Sequence, residues 1–241
     1  MNKKFLVLIA TLLLVSHGFA QERRGQIEFY GGAAFPLGPD VFKDFYKIGL
    51  SGNFQYVLFP SPSIGIPIFV GYERFTVDKD AIAEASAADL IGLSIFDGAG
   101  NVIGTVIDGS IDADGSASAI KFGIGVRPYL TSPEAPTQFF LFGTATYNLL
   151  KLKSQIKDGS YVGRDFVGNQ QTFNLTQQDI VNIYGGTEFK EDDNKFGLAG
   201  GAGLELPAGE SLNLIIQGLF NVIFTDEDKT TFIGVTAGLV F

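Results

Sequence analysis

Apolar residues in this chain recur at every second position rather than in long runs, and that spacing restricts the fold more than any other feature. Beyond the first twenty residues no stretch has 18 consecutive apolar residues, so no segment reads as a spanning helix. Between 47 and 58, Ile48, Leu50, Phe54, Tyr56 and Leu58 share one parity, while Gly49, Ser51, Asn53 and Gln55 share the other. Period two describes a strand with one apolar face.

The same pattern recurs along the chain. Ile27, Phe29, Ala33 and Phe35 alternate with Glu28, Tyr30, Gly32 and Ala34; Ile120, Phe122, Ile124 and Val126 oppose Lys121, Gly123, Gly125 and Arg127. Further on, Phe196, Leu198, Ala202 and Leu204 face away from Gly197, Ala199, Gly201, Gly203 and Glu205, and Ile233, Val235, Ala237, Leu239 and Phe241 from Gly234, Thr236 and Gly238. Residues 64–75, 138–152 and 212–225 supply three more segments; 138–152 fits either facing, and Ile215 and Leu219 fall on the inward parity. Each of the eight is long enough for the roughly 9–11 residues of a tilted transmembrane strand.

The opposite face is small or polar each time, and it carries charge. Glu28, Glu73, Lys121, Arg127 and Glu205 fall on it, flanked by Asn53, Gln55 and Gln217. Facing inward, these residues would fill an eight-stranded lumen with ion pairs and hydrogen bonds. The expected fold is all-β, an antiparallel up-and-down transmembrane β-barrel of about eight strands.

The connections agree with that arrangement. They run 36–45, 60–63, 78–118, 131–137, 153–195, 207–211 and 226–230, and every even-numbered one is short. Both very long connections then emerge at one end, as the outer face of such a barrel requires. Within 78–118 an Ala-rich helix is expected over 81–90, followed by a hairpin of 93–96 and 102–107 about a turn at 97–101. The hairpin reads as an extension above the membrane; the alternative adds it to the wall and makes ten strands. Pro67, Pro128 and Pro207 fall near strand ends on the short-turn side, where a lost ladder bond costs least.

Residues 1–20 begin with Lys3 and Lys4, continue through an apolar run and end in Gly18-Phe19-Ala20, the layout of a secretory signal peptide cleaved after Ala20. Residues 21–241 would then form one domain. Losing the leader leaves 15 basic against 26 acidic residues, moving the net charge from -9 to -11 and making nucleic acid an unsuitable partner. Export permits disulfides, yet the chain has no cysteine.

The single histidine, His17, lies in the leader, so Ser-His and Cys-His catalysis and His-containing zinc sites are unavailable to the exported chain. No cofactor is expected. Asp108, Asp112 and Asp114 are weak candidates for a divalent cation, but Ser110 and Lys121 stand at the first and twelfth positions of the calcium-loop register, which excludes an EF-hand.

Taken together, the strands, the loop asymmetry, the glycine-rich inward face 197–203 and a final strand ending in Phe241 resemble the eight-stranded outer-membrane barrel families typified by the OmpA membrane domain and by OmpX. The resemblance covers nearly all of 21–241. It implies a monomer in the outer membrane of a Gram-negative bacterium, in contact with lipid and lipopolysaccharide, with Phe241 read by the barrel-assembly machinery. The peptidoglycan-binding domain of full-length OmpA-type proteins is not matched, so wall anchoring is not implied. Tryptophan is absent, leaving Tyr30, Tyr46, Tyr56, Tyr72, Tyr129 and Tyr147 with the phenylalanines as interface anchors. The expected role is non-enzymatic, structural or adhesin-like, with loops 78–118 and 153–195 meeting a surface partner. A small-solute channel is the alternative, and a soluble lipocalin-like barrel a third reading that requires apolar side chains inside.

Overall fold

In the computed structural model, residues 25–241 are described except 98, 210, 211 and 227; the leader, Ala20 and His17 lie outside the described residues. Eight strands close the wall: β1 (Gln26–Gly38), β2 (Gly49–Ser61), β3 (Ile64–Thr76), β5 (Val102–Pro128), β6 (Gln138–Asp165), β8 (Glu188–Pro207), β9 (Asn213–Phe224) and β10 (Lys229–Val240). Every neighbour pair is antiparallel, and β10 returns to β1 while β5 joins β3 and β6, so no edge remains. Two short strands, β4 (Ser94–Phe96) and β7 (Gln170–Asn174), flank β5 and β6 beyond the wall. The hairpin expected over 93–107 therefore belongs to an extension, and the wall has eight strands rather than ten.

Alternation sets the facing. Phe29, Phe54, Val70, Ile124, Leu141, Leu198, Phe220 and Val235, one from each wall strand, all point outward, with Ile124 54% and Val235 49% exposed. A belt of large apolar side chains around the whole circumference greatly exceeds the patches that soluble monomers expose. It matches the outward apolar band of a transmembrane barrel. Glu28, Arg127 and Glu205, on the other parity, are at most 1% exposed. This polarity is the reverse of a lipocalin-like barrel and excludes that fold. The ambiguous strand resolves the same way: Phe140, Thr146 and Asn148 of β6 are buried inside while Phe139, Leu141 and Tyr147 face out.

Three of the six candidate girdle tyrosines are not on the outer face. Tyr56, Tyr72 and Tyr147 are exposed outward. Tyr30 hydrogen-bonds Gln55 in the lumen, Tyr129 is buried at the lumen's lower end, and Tyr46 packs against Phe42 at the mouth. Parity alone explains Tyr30, which shares a face with Glu28.

The even-numbered connections, the start of β1 and the end of β10 share one rim: Ile27 N–H donates to Phe241 O at 3.1 Å, and Phe241 N–H to Ile27 O at 2.9 Å. Pro128 and Pro207 end their strands there, and the β3–β5 ladder skips Ile66 and Pro67. At the opposite rim the long connections are not loops in the expected sense. The expected strand 119–130 is the lower half of β5, which starts at Val102; the expected loop 153–195 contains the upper part of β6, all of β7, a helix and the start of β8.

Among the described residues three helices accompany these strands: α1 (Asp40–Phe45), α2 (Lys79–Leu90) and α3 (Gln177–Tyr184). The expected 81–90 helix is α2, started by Asp78, whose carboxylate accepts from the Asp80 and Ala81 N–H groups. Thr176 and Asp179 form a reciprocal capping box on α3, and Gly185 ends it at φ 77°, a left-handed conformation that glycine adopts without a Cβ penalty. Tyr184 Oη donates to Ser86 O at 2.9 Å and ties α3 to α2. Leu90, Val106, Ile111, Ala113, Ile156, Leu175 and Ile180 bury together beneath the two helices, giving the extension an apolar core of its own.

Candidate functional site

Two places could support a function: the lumen with the mouth above it, and the far end of the extension. In the lumen a chain of polar contacts crosses from wall to wall. Arg127 on β5 reaches Glu28 on β1 with two bonds, Nη1 to Oε1 at 2.6 Å and Nη2 to Oε2 at 3.1 Å. Gln55 donates to Glu28, and Tyr30 Oη donates to Gln55 Oε1 at 2.7 Å. Arg127 also stacks over the Phe140 ring at 4.5 Å. Below it, Glu205 accepts from Asn213 Nδ2 at 2.6 Å and from Tyr129 Oη at 3.4 Å.

A second cluster sits higher. Lys121 pairs with Glu73, Ser51 Oγ donates to Glu73 Oε1 at 3.5 Å, and Asn53 Nδ2 donates to Ser51 Oγ at 3.2 Å. Inward glycines make the room. A Cβ on Gly71 would meet Lys121 Cε at 2.7 Å, and one on Gly123 would collide with the Phe69 ring. Between the clusters lies a cavity of about 30 Å³ that Gln217 lines with Tyr30, Lys121 and Arg127. It is about one water's volume. The structure thus places Glu28, Asn53, Gln55, Glu73, Lys121, Arg127, Glu205 and Gln217 within one plugged lumen.

The three candidate cation ligands are not brought together. No group of three His, Cys, Asp or Glu side chains able to hold a metal occurs among the described residues. Asp108 and Asp112 lie along the upper part of β5, and Asp114 is engaged by Lys79 at 3.2 Å and Lys157 at 2.9 Å. Those bonds, Lys157 first and Lys79 second, hold the Asp114 carboxyl down at about 2. It serves as a clamp linking α2, β5 and β6. Phe241 closes the β1–β10 seam, its ring edge-on to Phe29 at 6.4 Å.

Above the upper cluster the lumen opens into a cavity of about 580 Å³. Sequence reasoning missed it. Its floor is aromatic: Phe42 meets Phe75 edge-on at 4.9 Å, and Phe75 meets Phe232 edge-on at 5.5 Å. Tyr46, Ala117, Leu150 and Ile223 complete this apolar patch. Burial pushes the Tyr46 phenol up to about 12, so it remains neutral. A signal was present in the sequence, because Phe75 and Phe232 are phenylalanines on parities otherwise given to Gly71 and Glu73, or Gly234 and Thr236.

At the far end of the extension, β4 and β5 turn through 97–101 and β6 and β7 through 166–169. Gly104 pairs with Asp165, so the two turns lie side by side. Phe96, Val102, Ile103, Phe166 and Val167 are all exposed there, Phe166 to 75% and Val167 to 87%.

No protein-family model matches the chain, and no curated protein matches it. Among solved structures it is similar to Neisserial surface protein A, at 10% identity and TM-score 0.48, over 90% of this chain and 95% of that one. It is also similar to a major outer membrane protein from Thermus thermophilus, at 10% identity and TM-score 0.47, over 91% and 99% of the two chains. A third similar structure is Ail, the attachment invasion locus protein of Yersinia pestis, at 14% identity and TM-score 0.38, over 90% and 96%.

Proposed function

We propose that this chain is a non-enzymatic barrel of the bacterial outer membrane whose work is done by the extension, through contact with a partner outside the cell. The observation that carries the reading is the apolar tip formed by Phe96, Val102, Ile103, Phe166 and Val167. Lipid accounts for the apolar belt of the wall, and the extension's core is covered by α2 and α3. The tip has neither cover, and large exposed apolar side chains grouped at one end of the molecule are the kind of surface that marks an interaction site. A closed antiparallel wall with an apolar outer belt and a polar interior supports the outer-membrane location.

The test has two stages. The full chain expressed in a Gram-negative host should fractionate with the outer membrane and migrate on gels as a heat-modifiable band. Cells displaying it should then attach to mammalian-cell or matrix-coated surfaces, and a Phe96→Ser, Phe166→Ser, Val167→Ser variant, equally displayed, should attach at least ten-fold less. A chain recovered freely soluble from the periplasm ends the membrane reading; equal attachment by the variant ends the tip reading. A small-solute channel has no observation in its favour, since the lumen is crossed by Arg127–Glu28 and Lys121–Glu73.

A further inference from the structure

The mouth cavity of about 580 Å³ falls within the range of small-molecule pockets and is separate from the apolar tip. We propose that it is a binding site for an organic cation, a primary or methylated ammonium carried on an apolar body. Three observations set that chemistry.

First, the walls are aromatic. Phe42, Phe75 and Phe232 contact one another in an edge-on series at the base, and ring faces attract a desolvated ammonium while accommodating an apolar body. Second, Glu73 lines the same base and is only 1% exposed, yet no hydrogen-bond donor among the described residues reaches its Oε2. Its other oxygen already holds Lys121 and Ser51. A buried carboxylate oxygen lacking a donor carries a desolvation cost, and a ligand N–H would relieve it. Third, the rim selects charge sign. Glu191, Asp193, Asp226 and Asp228 line it against Lys151, and acids remain in excess when Lys121 and Lys195 are counted too. Such a mouth concentrates cations and repels anions.

A metal ion suits the site poorly, since hard cations need several converging oxygens and this base is mostly hydrocarbon. The lumen beneath narrows to about 30 Å³ behind the Lys121–Glu73 pair, so a bound molecule would be held rather than passed through.

The experiment uses the full chain folded in zwitterionic micelles, titrated with phenylethylammonium, neutral 2-phenylethanol and anionic phenylacetate, and followed by calorimetry with empty micelles subtracted. The cation should bind saturably, the alcohol at least ten-fold more weakly and the acid not measurably. The rim variant Glu191→Gln/Asp228→Asn, which leaves the lumen untouched, should weaken the cation three-fold or more at low salt and leave the alcohol unchanged. Phe232→Ala should weaken both. Glu73→Gln removes the acceptor charge; if it fails to fold because Lys121 is left unpaired, the rim and Phe232 variants still decide the matter. Equal affinity for cation and alcohol, or cation binding unchanged in both the rim and Phe232 variants, overturns the proposal.

Discussion

The wall and the extension are built from the same strands and bury opposite chemistry. On β5, the positions 111, 113, 121 and 127 share one face; the lower two are Lys121 and Arg127, and the upper two are Ile111 and Ala113. β6 does the same, with Asn148 inside the wall and Ile156 inside the extension. Backbone hydrogen bonding does not distinguish the two halves, because the β5–β6 ladder runs from Val126 up to Gly104 with two bulges. The medium outside distinguishes them. Where lipid surrounds the sheet the apolar face turns outward and polar groups are left for the centre; where water surrounds it the ordinary arrangement returns. One strand therefore obeys both rules within 27 residues.

The largest effect should come from breaking a polar contact in the wall. Arg127→Met leaves Glu28 buried without its main partner, and removing one member of a buried pair costs about 3–5 kcal/mol. Urea unfolding in lipid vesicles, read by cold-gel mobility, should show that loss. The double change Arg127→Met, Glu28→Leu should recover most of it, and a double variant no better than the single one would contradict the account. In the extension the vulnerable groups are apolar instead. Ile111→Ala should cost about 2–5 kcal/mol locally. Hydrogen exchange should rise across 79–113 and 152–184 while the wall keeps its protection, and loss of protection throughout would mean that the two regions are one cooperative unit.

Outward substitutions sharpen the contrast further. Ile124→Arg on the lipid face should destabilise by about 2–4 kcal/mol if it sits near the bilayer midplane. Val102→Arg at the extension tip should leave stability nearly unchanged, and equal penalties would remove the distinction between the two surroundings. The smallest effect concerns Asp114, whose carboxyl is held at about 2 against an ordinary 3.8 by Lys157 and then Lys79. A carboxyl depressed on folding adds stability that is fully present above about pH 4 and disappears as pH falls through about 2. Exchange in α2 should therefore rise modestly over that window, and Asp114→Asn should show the raised level at every pH.

The wall was legible in the sequence because a two-residue period sustained over ten positions fits little besides a strand, and because Glu28, Glu73, Lys121, Arg127 and Glu205 all fall on the inward parity. The extension was harder for a physical reason. Its strands are rich in turn formers, Asp108-Gly109-Ser110 and Asp112-Ala113-Asp114-Gly115 among them, and the bulge at Ile107 reverses the parity, so that Val106 and Ile111 reach one core from opposite registers. Strand pairing outweighed local turn preference there, because each strand had a partner already anchored in the wall. The helix 81–90 and the hairpin beside it were readable from composition alone, whereas the mouth cavity required knowing that 42, 75 and 232 converge.

The unbroken passage of β5 and β6 from bilayer to tip also has a mechanical consequence. A tug on the turns at 97–101 or 166–169 meets no pivot at the rim; it travels down both strands and loads the β3–β5 and β6–β8 ladders lengthwise, many bonds at a time. Bonds sheared together resist far better than bonds peeled one after another, so the projection is shaped to hold under drag.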